Sequence, residues 1–120
     1  MNKKLMFVML SSVLLSACAQ PPQTIYTWGD YVETSTAYAT KGHEKEYAEK
    51  HLSEIKKIVD QSEMEKRRVA PGIYAEYAQL LYEEGKQEEA KKYFSLEKET
   101  YPESKVFIDN VLAKLYKEGA

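Results

Sequence analysis

The sequence has a single cysteine, Cys18, among its 120 residues. No intramolecular disulfide can form, so the fold cannot depend on one even in an oxidising compartment. An excess of positive charge is also missing, because 17 Lys plus Arg face 19 Asp plus Glu. That balance argues against nucleic-acid binding. Signatures of catalysis are missing as well. His43-Glu44 begins like a zinc-protease HExxH motif, but the second histidine would stand at position 47, which is Tyr47. The chain has no nucleophile elbow, no phosphate-cradling glycine loop and no second cysteine. The expectation is a protein that is not an enzyme and carries no metal or other cofactor, with a small hydrolase as the weakest alternative.

A long hydrophobic run is lacking too. Leu5 to Leu15 are uncharged and broken only by Ser11 and Ser12, after a positive start at Lys3 and Lys4. This run is too short to span a bilayer as a stable helix, and residues 1–17 read as an export signal to be set aside before any fold reasoning. Leu15, Ser16, Ala17 and Cys18 then resemble the bacterial lipobox, with Leu three positions before the cysteine and small residues between. Small side chains let the backbone lie extended in a peptidase groove, and the thiol is the nucleophile that accepts diacylglycerol. The resemblance implies lipidation of Cys18, with a third acyl chain on the new amino group in Gram-negative bacteria. Several chains anchor stably where one alone is marginal. Residue 19 is Ala, whereas Asp there holds enterobacterial lipoproteins in the inner membrane. The expected location is the periplasmic face of the outer membrane.

Residues 18–25 contain Pro21 and Pro22 and read as a lipidated tether. Its extended reach is about 25 Å at most. Residues 26–120 are enough for a single helical domain with its own core. Asp30 and Glu33 have capping-box spacing, which predicts a first helix running to about Lys41 with Gly42 as its stop. Tyr47, Ala48, His51, Leu52, Ile55, Ile58 and Val59 recur at three- and four-residue steps and predict the clearest amphipathic helix. Polar residues 61–68 predict a loop, and Pro71-Gly72 punctuates the chain. Tyr74, Tyr77, Ala78 and Leu81 predict a third helix ended by Gly85. Ala90, Tyr93 and Phe94 mark a fourth that Pro102 breaks, the two forming an antiparallel hairpin. Ser104 stands where it would cap a fifth helix with a buried face of Phe107, Ile108, Val111, Leu112 and Leu115. No segment reads as a strand, so the class is all-α with about five helices.

Residues 71–104 resemble one tetratricopeptide repeat, a 34-residue helix-turn-helix unit. Tyr74, Ala78, Gly85, Ala90, Phe94 and Pro102 stand where that repeat places its aromatic, small, turn and terminating residues; Tyr77 and Glu97 depart from it. The resemblance implies antiparallel hairpins closed by a C-terminal capping helix, since one repeat cannot bury its own stripe. The first helix pair is repeat-like only, because Gly42 and Gly85 are 43 positions apart. A second resemblance rests on Trp28-Gly29, Pro71-Gly72 followed by Tyr74-Ala75-Glu76-Tyr77, then Tyr101-Pro102-Glu103-Ser104 and Phe107. These are similar to a family of small bacterial lipoproteins known only as a domain of unknown function. Its members tend to be encoded beside lipoproteins similar to the curli secretion channel, which implies a curli-channel-like lipoprotein as envelope partner.

Tyr26, Trp28 and Tyr31 form the candidate interaction surface, because they lie beside the anchor, where amphipathic rings rest at lipid headgroups. Packing against the second helix is the competing reading. Most of the ten tyrosines fall on inward stripes, which favours core packing over sugar stacking. His51 on an apolar face reads as a structural histidine, not a metal ligand. Lys66, Arg67 and Arg68, and the acidic tip of Glu83, Glu84, Glu88 and Glu89, read as solvated surface. The functional expectation is a non-enzymatic protein-protein adaptor or scaffold bound to the membrane through its N-terminal lipid. The alternative is a peptidoglycan- or lipid-binding module, which would show a closed concave pocket with convergent polar groups.

Overall fold

The computed structural model describes residues 24–117. Leu15, Ser16, Ala17 and Cys18 lie outside the described residues, as do the expected export signal and most of the expected tether. Within them the chain forms five α-helices and no strand: α1 (Tyr31–Lys41), α2 (Lys45–Met64), α3 (Ile73–Glu83), α4 (Gln87–Thr100) and α5 (Lys105–Leu115). A single 3₁₀ turn, Pro102–Ser104, joins α4 to α5. None of the helices is long and apolar enough to cross a membrane.

The start of α1 is not the expected capping box. The Asp30 side chain caps nothing; its backbone N–H instead donates to Glu54 Oε1 on α2 at 2.8 Å. Glu33 turns outward to Lys50 at 3.2 Å. A carboxylate from the neighbouring helix therefore does the capping, which local spacing cannot show. At the other end Gly42 stops α1, and the reason is closeness. Its φ is −63°, and a Cβ there would sit 2.4 Å from the Tyr38 carbonyl oxygen.

Helix α2 continues through Gln61 to Met64, where a loop was expected. The apolar stripe of Ile55, Ile58 and Val59 is extended by Ser62, which is fully buried and donates its hydroxyl to the Ile58 carbonyl at 2.7 Å. A polar atom thus occupies the next inward position and hides the periodicity. The helix ends in a Schellman motif, with Arg67 N–H bonded to Ser62 O and Lys66 N–H to Glu63 O. Lys66 takes the left-handed position at φ +54°, a region that costs an L-residue about 1–2 kcal/mol. Helix α3 ends the same way, with Gly85 at φ +81° and Lys86 N–H bonded to Leu81 O. There the glycine bears no such strain.

Two expectations about α5 are also corrected. Ser104 does not cap it: the hydroxyl donates back to the Tyr101 carbonyl at 2.7 Å. Of the expected buried face only Ile108 is fully enclosed; Val111, Leu112 and Leu115 are half-buried, and Phe107 is 65 % exposed. With α4 as its main neighbour and α3 reaching only its last turns through Tyr82, a short final helix has too little neighbouring surface to cover more than one stripe.

The helices pair as antiparallel hairpins. Asp30 at the start of α1 meets Glu54 on α2, and Gly72 at the start of α3 donates its N–H to Glu97 Oε1 near the end of α4 at 2.9 Å. The two hairpins use the same devices at a 43-residue offset. Gly29 matches Gly72, both at positive φ; Glu54 matches Glu97, both buried acceptors for the opposite helix; Gly42 matches Gly85 at the turns. Helices α1 and α3 run side by side in parallel, since Tyr31 OH donates to Glu76 and Tyr38 OH to Glu83, each 45 residues on.

Ile55, Ile58, Val59, Leu81, Phe94 and Ile108 are the large apolar side chains enclosed almost completely. Each contributes about 1.5–3 kcal/mol through burial. Tyrosines finish the packing: none of the ten is exposed, and several place the ring inside while the hydroxyl bonds to another element. Tyr101 OH reaches Val69 O, Tyr82 OH reaches Leu115 O, and Tyr116 OH reaches Gln87 O.

Candidate interaction surface

The most polar cluster in the interior is centred on His51. At the position where the second hairpin has Phe94, the first has this histidine, fully buried on α2. An imidazole needs partners on both nitrogens, and the two neighbouring helices supply them. Nδ1 pairs with Thr34 Oγ1 of α1 at 2.9 Å, and Nε2 with Glu76 Oε1 of α3 at 2.8 Å. Tyr31 OH donates to the other Glu76 oxygen at 2.8 Å. Burial alone would raise the Glu76 carboxyl, but the hydrogen bonds from His51 and Tyr31 outweigh it and hold the group below the ordinary carboxylate range. Because that carboxylate only accepts, Nε2 carries the proton. Burial, reinforced by Glu76, pushes the Tyr31 phenol up to about 12.

The order Thr34, His51, Glu76 has the outline of a nucleophile, base and orienting acid, but the geometry gives it no access. Thr34 is 3 % exposed and His51 is enclosed. The Tyr38 ring stacks on the imidazole at 5.2 Å and the Tyr31 ring lies 5.9 Å away. A substrate would have to displace both rings to reach the hydroxyl. The cluster ties α1, α2 and α3 together; it does not face a cleft.

The candidate residues of the lead-in segment divide. Trp28 is 40 % exposed, with Tyr26 packed edge-on at 6.2 Å and Tyr31 tilted at 5.7 Å. Tyr26 and Tyr31 are half-buried, and Tyr31 turns inward to Glu76 and His51. Gly29 fixes this arrangement: at φ +46°, a Cβ would fall 2.3 Å from Glu54 Oε1. Tyr101, whose phenol burial and the neighbouring Tyr26 hydroxyl push up to about 12, connects the segment to the α4–α5 junction. The Arg68 guanidinium covers that same ring at 4.4 Å.

The hairpin residues are placed around the α3–α4 contact. Ala78 and Ala90 are completely buried, and Tyr74 and Phe94 are nearly so. Gly85 makes the turn and Pro102 opens the 3₁₀ turn. Glu97, a departure from the repeat pattern, supplies the N–H acceptor for α3.

An open groove with apolar walls lies elsewhere, between the second halves of α3 and α5. Gln79, Tyr82 and Glu83 form one wall and Val111, Lys114 and Leu115 the other, around a groove of about 370 Å³. A larger depression on α2 is walled by that helix and its cap alone, so it is the solvent side of one element. Sequence reasoning did not single out Gln79 or Lys114. The available signal was the parallel offset, since Tyr82 and Tyr116 pack edge-on 34 positions apart. Among the described residues no group of three or more His, Cys, Asp or Glu is close enough to hold a metal ion.

A family model described as a domain of unknown function (DUF4810) matches residues 25–111, nearly the whole of the described fold. No curated protein and no solved structure matches the chain.

Proposed function

This chain belongs to that family of unknown function, and we propose that it is a non-enzymatic adaptor, held on the periplasmic face of the outer membrane by lipidated Cys18, whose α3–α5 groove receives another envelope protein. The groove carries this reading. It joins apolar walls from Tyr82, Val111 and Leu115 to polar rims from Gln79, Glu83 and Lys114, the composition that suits a protein segment. Two hairpins with recurring devices, followed by a single helix, are the arrangement expected of tetratricopeptide-type stacking, in which partners dock across the face shared by successive hairpins. The family resemblance makes a curli-channel-like lipoprotein the first partner to test.

The alternative, a pocket for peptidoglycan or a free lipid, has less behind it. A sugar-stacking site needs uncovered aromatic faces around a pocket; none of the ten tyrosines is exposed, and the exposed rings, Trp28 and Phe107, do not line the groove. The groove is open rather than enclosed.

Photo-crosslinkers placed in living cells at Gln79 and Lys114, with Lys57 and Asp60 on the outer face of α2 as controls, test the adaptor. A discrete adduct is expected from the groove positions only, and it should disappear when Cys18→Ala releases the domain from the membrane. Adducts that are absent, or equal at all four positions, would contradict it.

A further inference from the structure

Among the described residues six large hydrophobic side chains remain exposed, from Trp28 at 40 % to Met64 at 78 %: Ile25, Trp28, Val32, Met64, Val106 and Phe107. Their places in the chain look unrelated, but the alternation of helix directions brings them to one end of the bundle. Ile25 and Trp28 belong to the lead-in, Val32 to the first turn of α1, Met64 to the end of α2, and Val106 and Phe107 to the first turn of α5. The same end holds Lys66, Arg67 and Arg68. Arg67 is paired with Glu65 at 3.1 Å, but Lys66 has no ion pair among the described residues. Arg68 is held over Tyr101, beside the lead-in. Lys66 takes after α2 the left-handed position that Gly85 takes after α3. Glu63, Glu99 and Glu103 are also exposed at this end, and the opposite end, around Gly85, mixes Glu83, Glu84, Glu88 and Glu89 with Lys86 and Lys114.

We propose that the end of the bundle at which the chain enters is a lipid-docking surface: Trp28 and its exposed apolar neighbours enter the headgroup boundary of a bilayer, while Lys66 and Arg68 meet anionic headgroups. Two features favour a membrane as the occupant. The described fold begins at Thr24, six positions after Cys18, and a tether of that length reaches only about 20 Å when fully extended. Exposed apolar side chains flanked by the cations Lys66 and Arg68 are a combination that suits a headgroup boundary. Tryptophan at such a boundary keeps its ring in the apolar layer and its N–H in water. Docked this way, the domain turns the far halves of α3 and α5, and with them the groove, away from the bilayer. The inference rests on the lipid anchor proposed above.

Trp28 is the only tryptophan, so its fluorescence reports this surface without labelling. The full chain is purified from membranes, the acyl mass on Cys18 is checked, and the protein is reconstituted into phosphatidylcholine vesicles with or without phosphatidylglycerol. Lipids brominated high on the acyl chain are expected to quench Trp28 strongly when phosphatidylglycerol is present. The triple variant Lys66→Gln, Arg67→Gln, Arg68→Gln should lose most of that quenching, as should the native chain in high salt. Lys56→Gln with Lys57→Gln, on the outer face of α2, should leave it unchanged. An acylated, vesicle-bound chain whose Trp28 is unquenched overturns the docking surface but not the anchor. An unquenched Trp28 together with a crosslinked dimer assigns this end to a second copy and also overturns it. A chain without acyl mass that does not sediment with vesicles overturns both.

Discussion

His51 Nε2 lies 2.8 Å from Glu76 Oε1, and this contact joins the first hairpin to the second. Removing the carboxylate leaves a buried imidazole without one partner and the Tyr31 hydroxyl without its acceptor. Glu76→Ala is expected to lower unfolding free energy by about 2 kcal/mol, in the range for hydrogen bonds to charged groups. Urea denaturation should show a lower midpoint with the slope unchanged. A midpoint equal to that of the native chain would mean that the contact contributes nothing to stability.

The same contact sets the acid limb of stability. The Glu76 carboxyl is held below its ordinary value of 4.5, so its contribution is complete above that value and is lost as pH falls through the lower folded one. Glu76→Gln should therefore flatten the decline of stability below pH 4.5. The tyrosines act in the opposite direction. Burial first, then neighbouring groups, pushes Tyr31, Tyr74, Tyr77 and Tyr101 from 10.0 up to about 12. Their contribution is complete below pH 10 and drains away between 10 and 12, which thermal melts across that window can follow. Tyr31→Phe should reduce the slope of the decline.

Gly29 and Gly72 occupy matching positions but should respond differently to alanine. Both have positive φ, yet a Cβ on Gly29 would meet Glu54 Oε1 at 2.3 Å, while one on Gly72 would meet nothing within 4 Å. Gly72→Ala carries backbone strain alone, about 1 kcal/mol. Gly29→Ala must also displace the carboxylate that accepts the Asp30 N–H, so its loss should be larger by about 1–2 kcal/mol. Equal melting temperatures for the two variants would refute the close approach.

Phe94 and Phe107 form a second contrasting pair, at 2 % and 65 % exposure. Phe94→Ala is expected to cost about 3–5 kcal/mol. Phe107→Ala should stay within about 0.5 kcal/mol. Equilibrium unfolding of the two variants under the same conditions measures the difference.

The helices and turns were legible in the sequence because their signals are local. Gly42, Gly85 and Pro102 act within a few residues, and the stripes of α2, α3 and α4 repeat at helical spacing. The features that were not legible depend on distant partners. Asp30 and Glu33 have capping-box spacing, but Glu54, a full helix away, takes the N–H. Ser62 interrupts an apolar pattern because its hydroxyl is satisfied inside the helix. Phe107 looks buried by period, yet α5 has a neighbour on too few sides to cover it. Among candidate site residues, Trp28 and Tyr26 were visible as aromatics near the proposed anchor. The cluster of His51 with Thr34 and Glu76 spans 17 and 25 residues, a separation that no spacing rule connects. Its trace in sequence is the exchange of Phe94 for His51 between hairpins that otherwise share glycines and buried glutamates at a 43-residue offset.

The proposed anchoring of a helical adaptor at the outer membrane through lipidated Cys18 is tested most directly by intact-mass analysis of the native protein from fractionated envelopes. The predicted result is a chain beginning at Cys18, carrying diacylglyceryl and amide-linked acyl mass on that residue and recovered with the outer membrane. A full-length chain, or a processed one with an unmodified thiol in the soluble fraction, would contradict it.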